Sequence, residues 1–175
     1  MYDCIIPAVP SVSWSSLIQH NQARPRSVVC LWLACQDHLA TKVRLKRLGL
    51  MQSEQCSFCN EAPEDFNHLL IDCRICSVIW KDILQWLHIR HTPLNWMEEI
   101  KWLTSHTCGK GFKQNMLKLS IAEAVYALWI YRNTNIFDRN NVDDTNSVVR
   151  KKIAMIVQRG WMKPKHRSKL ALLML

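Results

Sequence analysis

The chain has 175 residues, a formal net charge of +9, 49% hydrophobic residues and only four glycines. That length suffices for one domain with a core of its own, and so few glycines argue for helices over a turn-punctuated β sandwich. No apolar run reaches the roughly 18–20 residues of a bilayer-spanning helix, so no membrane partner is expected.

The start, MYDCIIPAVP, lacks the charged region and long apolar run of a secretory signal. A reducing compartment, nuclear or cytoplasmic, is therefore expected, and a disulfide framework is not. SVSWSSLIQHN (11–21) reads as a short helix capped by a serine, and Pro25 breaks the chain after it. From about Ser27 to Leu48, apolar residues recur at helical spacing, with Thr41 as a possible cap that divides the stretch in two. Lys42, Arg44, Lys46 and Arg47 make the second piece basic, and Gly49 is a suitable C-terminal stop.

The segment QCSFCNEAPEDFNHLLIDC comes next and is too short and polar to hold itself together without a staple. Its Cys56, Cys59, His68 and Cys73 read C-x2-C-x8-H-x4-C. Zn²⁺ prefers four tetrahedral ligands and takes thiolate sulfur and imidazole nitrogen readily. Four protein ligands close the site and leave no position for a catalytic water, so one structural Zn²⁺ is expected. Cysteine is also a common buried hydrophobe, but a chance cluster at this spacing is the weaker reading. Cys76 adds a second C-x2-C pair with Cys73, and spacing alone does not separate His68 from Cys76 as the fourth ligand. Cys4, Cys30, Cys35 and Cys108 are expected to be free thiols.

A helix is expected from about Arg74 to His88, with Ile75, Ile79, Ile83, Trp86 and Leu87 on one side, and another over 92–106. Gly109 and Gly111 form a loop. The strongest helical pattern is 112–137, with a core stripe of Leu117, Ile121, Val125, Leu128 and Trp129. A last helix from Asp143–Thr145 to about Gly160 would precede a loose tail. The eight tryptophans are first of all core residues; stacking on bases is their sharper alternative. Beyond Asn146 come Arg150, Lys151, Lys152, Arg159, Lys163, Lys165, Arg167 and Lys169 without one acid, which leaves +1 for the first 145 residues. Such a tail suits a polyanion, most simply RNA or DNA, and equally the solvated basic end of a chain with another role.

PRSVVCLWLACQDHLATKVRLKRLGL, the Cys/Cys/His/Cys cluster and Trp80 together resemble the zinc-binding domain of plant non-LTR (LINE-type) retroelement reverse transcriptases. The resemblance is carried by Trp14, Pro25-Arg26, Leu31-Trp32, Leu39-Ala40-Thr41, Leu45, Gly49 and Trp80, around the four ligands. It covers residues 14–88 well and 112–161 more loosely, through AEAVYALWIYRNTNIF (122–137). It implies His68 as the fourth ligand. Ala40 stands where the family often has proline, which touches only a helix start. Glu64 or Asp65 occupies the place of a usual glutamate, to which no role is assigned.

A polymerase would need a Tyr- or Phe-x-Asp-Asp loop holding two metal ions. The only Asp-Asp pair, Asp143-Asp144, follows Asn141-Val142 and reads as a helix start. The resemblance thus implies a detached C-terminal fragment without the polymerase domain and without catalysis. The expected fold is mostly α, a multi-helix domain with a small zinc-stapled loop or hairpin between helices. Its divisions are a zinc-binding region over 11–92, a helical continuation over 93–161 and a basic tail over 162–175. The expected function is a non-catalytic nucleic-acid-binding module with no small-molecule substrate, using Lys42, Arg44, Lys46, Arg47 and the tail bases on RNA or DNA. The alternatives are a zinc-stapled protein-interaction module and a remnant without a function of its own.

Overall fold

A computed structural model describes residues 12–137. Six α-helices follow one another: α1 (Ser15–Ile18), α2 (Pro25–Cys35), α3 (Lys42–Arg47), α4 (Arg74–Trp86), α5 (Trp96–His106) and α6 (Phe112–Phe137). A single π-helical turn, His68–Asp72, leads into α4. The described residues are mostly helical, and their one β-type pairing is an isolated antiparallel bridge between Gln55 and Pro63. The helix expected after Asp143 and the whole basic tail lie outside the described residues.

Local chemistry sets most helix ends, though not always as the sequence suggests. Pro25 does not break the chain; it occupies the first position of α2, where its missing N–H costs nothing. The expected serine cap of α1 is absent: Trp14 precedes the helix and makes no side-chain capping bond. The stretch 27–48 is divided in two as expected: α2 ends at Cys35, Asp37 takes a positive φ of 53°, and Thr41 occupies the N-cap position of α3, although its side chain makes no capping bond. Gly49 follows α3 with a φ of 71°, a left-handed stop that a side chain would strain. In α5 the cap is Asn95, whose side chain accepts from the Glu98 amide; the helix therefore starts four residues later than 92.

α6 is the central element. Leu117, Ile121, Val125 and Leu128 of the expected stripe are buried and Trp129 partly so; Met116, Leu119, Ala122, Ala124 and Ala127 are buried as well, so most of the circumference between Met116 and Leu128 is covered. A helix buried nearly all round, with Lys118, Ser120 and Glu123 covered among the apolar residues, is one that other elements surround. α2 and α4 both pack on it, α1 packs on α2 and α5, and the π-helical turn packs on α4. Trp80 and Trp96 lie fully inside, as core residues do. The Trp96 indole donates to the Ala34 carbonyl at 3.0 Å, and its backbone amide donates to the Asn67 side chain at 2.7 Å. Trp80 donates to the Leu70 carbonyl. Trp32, by contrast, is 40% exposed on α2. No described helix is long and apolar enough to cross a membrane.

Candidate metal centre

The metal loop lies between α3 and α4 and is built on a tight reversal. The Gln55–Pro63 bridge closes it, with the Cys56 amide donating to the Ala62 carbonyl at 2.9 Å and the Glu64 amide to the Glu54 carbonyl at 2.7 Å. Asn60 turns the chain with a φ of 56°, a conformation that asparagine tolerates better than most residues. The Cys56–Cys59 turn then aims both sulfurs inward. On the other side, the Cys73 amide donates to the His68 carbonyl at 2.8 Å, a bond spanning five residues. That is π-helical spacing, one residue wider than an α-helical turn, and it brings His68 and Cys73 to the same centre.

The ligand atoms of Cys56, Cys59, His68 and Cys73 all lie within 4.8 Å of one another. Cys56 Sγ and Cys73 Sγ are 3.9 Å apart, and Cys59 Sγ and His68 Nε2 are 3.2 Å apart. Zinc–sulfur bonds of about 2.3 Å and zinc–nitrogen bonds of about 2.0 Å put tetrahedral edges at about 3.8 Å and about 3.5 Å. Both measured edges therefore fit a bound Zn²⁺ to within a few tenths of an ångström. The three cysteines are buried and His68 is half-buried. The Phe58 amide donates to Cys56 Sγ and the Glu61 amide to Cys59 Sγ, each at 3.4 Å, which favours the thiolate that a metal requires. Cys76 is fully buried on α4 and lies outside this convergent set.

Without metal, Cys56 and Cys73 keep their protons. The hydrogen bond with Cys73, followed by burial, raises the Cys56 thiol far above its usual value. The Cys56 bond lowers Cys73, but the neighbouring Cys76 thiol and burial outweigh it and push Cys73 up to about 12. Burial disfavours the charged His68 ring, yet its bonds with Cys59 and Cys56 prevail and raise it. Zinc displaces the protons held on Cys56 and Cys73, so loading releases protons.

Glu64 and Arg132, neither of them expected to take part, tie the centre to the helices. Glu64 is fully buried. Its Oε2 accepts from the Ser57 amide at 3.0 Å and the Ser57 hydroxyl at 2.7 Å, inside the Cys56–Cys59 turn. Its Oε1 accepts from the Lys42 amide at 3.0 Å, at the start of α3, and from Arg132 of α6 at 2.9 Å and 2.5 Å. The Arg132 guanidinium also lies over the Trp129 ring, 4.8 Å from its centroid. Phe58 stacks on Tyr131 of α6 with centroids 6.2 Å apart. A glutamate just before the histidine segment was the available signal.

The bases of α3 fall into two groups. Lys42 donates to the Gln55 carbonyl at 2.8 Å and Lys46 pairs with Glu54 at 3.0 Å, so both hold α3 against the metal loop. Arg44 donates to the Asp37 carbonyl at 2.8 Å, which leaves its charge uncancelled, and Arg44 and Arg47 are exposed. Arg150, Lys151, Lys152, Arg159, Lys163, Lys165, Arg167 and Lys169 lie outside the described residues.

Residues 1–80 match the family model described as zinc-binding in reverse transcriptase. Neither the curated proteins nor the solved structures yielded a match. The family match and the four-ligand geometry together make this the site of one structural Zn²⁺.

Proposed function

We propose, taking residues 1–80 as a zinc-binding domain of the reverse-transcriptase kind, that the chain is a non-catalytic nucleic-acid-binding module derived from a non-LTR retroelement polyprotein. The observation that carries this reading is the basic edge of α3, clamped to the metal loop through Glu64, Lys42 and Lys46. Zinc thereby fixes the position of exposed cations, Arg44 and Arg47 among them, which a flexible segment would not hold. A site whose four positions are all taken by protein atoms suits this supporting role rather than activation of a water. The tail from Arg150 to Lys169 adds eight positive charges and no acid. Its natural ligand is a phosphate backbone, RNA or DNA.

Salt-dependent binding of the zinc-loaded chain to RNA and DNA tests this. If about half the tail bases engage duplex phosphates, log K falls with log salt at a slope of roughly −3 to −4. Deleting residues from Lys163 onward removes four bases and flattens that slope while leaving the zinc content unchanged. The rival is a protein-interaction module, favoured by the exposure of Val29, Trp32, Leu48 and Leu50. Failure to bind either nucleic acid at low salt would leave that rival as the better account.

A further inference from the structure

At the end of α6 away from the metal centre, a cleft opens between α5, the start of α6 and the loop after α4. Lys113 and Arg132 are 19 residues apart on α6, about 28 Å at the helical rise. The cleft has a volume of about 350 Å³ and a floor that includes Ile89 and Leu117. Arg90, His88, His106 and Lys113 line it and are exposed, so it is open to solvent. None of the residues lining it is acidic.

Its aromatic wall is preorganised. Trp102 stacks on His91 at 3.7 Å with the rings 3° from parallel, and on His106 at 4.1 Å with 21° between them. His91 is fixed from behind by Glu99, 2.9 Å from its Nε2; the same carboxylate oxygen accepts from the Leu94 amide at 3.0 Å. The nearby acid is therefore engaged and nearly inaccessible, with 2% of its side chain exposed. His106 Nδ1 sits 2.8 Å from the Trp102 carbonyl, which can only accept, so Nδ1 carries the proton there. Lys113 Nζ donates to the His88 carbonyl at 3.2 Å, holding its ammonium at the rim.

Resting on the nucleic-acid reading given above, we propose that this cleft binds one nucleotide of a single-stranded nucleic acid, with the base on the outer face of His106, whose inner face Trp102 backs, and the phosphate on Arg90 and Lys113. Stacking requires an unpaired base, which excludes a duplex, and flanking cations track the backbone of a strand. The volume lies at the low end of small-ligand clefts, roughly 300–1,000 Å³, and suits a single nucleotide. This cleft is distinct from the α3 edge and the basic tail.

The test uses the full zinc-loaded chain and two oligomers of equal charge, an oligothymidylate and its abasic counterpart. Both meet the same tail, so only their difference reports the cleft. The base-containing strand is expected to bind tighter, on the order of tenfold. His106→Ala, at an exposed position, and Trp102→Leu should each shrink that difference and leave the affinity for the abasic strand unchanged. Arg90→Gln and Lys113→Gln should weaken both strands and reduce the salt slope by about 0.7 per charge. A 5-iodouracil strand should photocross-link to the segment holding Trp102 and His106. Equal affinity for the two strands, cross-links confined to other segments, or no binding of either strand would overturn the proposal.

Discussion

Glu64 accepts five hydrogen bonds from three residues on three parts of the chain, and no water reaches it. A buried carboxylate is tolerable only when its charge is matched and its lone pairs are used, and Arg132, itself 2% exposed, supplies the match. Arg132→Met is expected to cost about 3–5 kcal/mol in denaturant unfolding, because it strands the Glu64 charge. Adding Glu64→Gln should recover part of that loss. The Glu61–Arg74 pair is a control: it is in direct contact too, at 2.8 Å, but more than half exposed on both sides, and its removal should cost less than about 0.5 kcal/mol. Equal costs for the two pairs would show that burial does not decide their worth. Burial also acts on Cys30 and Cys35, whose thiols it pushes up to about 12. An unfolded thiol titrates near 8.5, so this stabilising contribution is complete below that pH and is lost as pH rises toward 12. By pH 10 each should have lost roughly 2 kcal/mol, read as a falling denaturation midpoint that Cys30→Ala or Cys35→Ala makes less steep.

At the scale of elements, the helices and the ligand set were largely legible in the sequence, and the ties between them were not. α6 has the bounds that its apolar pattern predicts, 112–137, because a long periodic run leaves little choice. Cys56, Cys59 and Cys73 stood out because metal coordination demands particular residue types at short spacings, while the choice of His68 over Cys76 came from the family resemblance and not from spacing. The π-helical turn was not legible: four residues between His68 and Cys73 fit an α-turn or a bend equally well until the Cys73–His68 backbone bond selects the wider turn. Arg132 was hidden for a different reason, since its partner lies 68 residues away and no local pattern links them. The turn makes a specific prediction about the fourth ligand. His68→Ala should weaken zinc binding severely, whereas Cys76→Ala should leave the stoichiometry at one per chain. Cobalt substitution counts thiolates through its charge-transfer band, and the unaltered protein should show three; a four-sulfur spectrum would assign Cys76 as a ligand instead.

For the molecule as a whole, zinc is the one element that the metal loop cannot replace with packing. Between Gln52 and Asp65 the loop's one large apolar residue is Phe58, and its anchorage to α6 passes through Phe58, Ser57 and Glu64, all set by the Cys56–Cys59 turn. α3 depends on the same anchorage through the Lys42 amide. Metal binding at such a site supplies folding free energy on the order of 10 kcal/mol, comparable with the entire stability of an ordinary domain. The helices α2, α4 and α6 share a core of their own, but the contact between that core and the basic edge of α3 runs through the metal loop. Thermal unfolding of the zinc-loaded chain, before and after complete chelation and followed by far-UV circular dichroism, tests this most directly. Chelation should lower the melting temperature markedly and reduce helicity, with Cys59→Ser reproducing the loss and Cys108→Ser, at an exposed cysteine, having little effect. Unchanged helicity and an unchanged melting temperature after full removal of zinc would contradict the structural role of the metal.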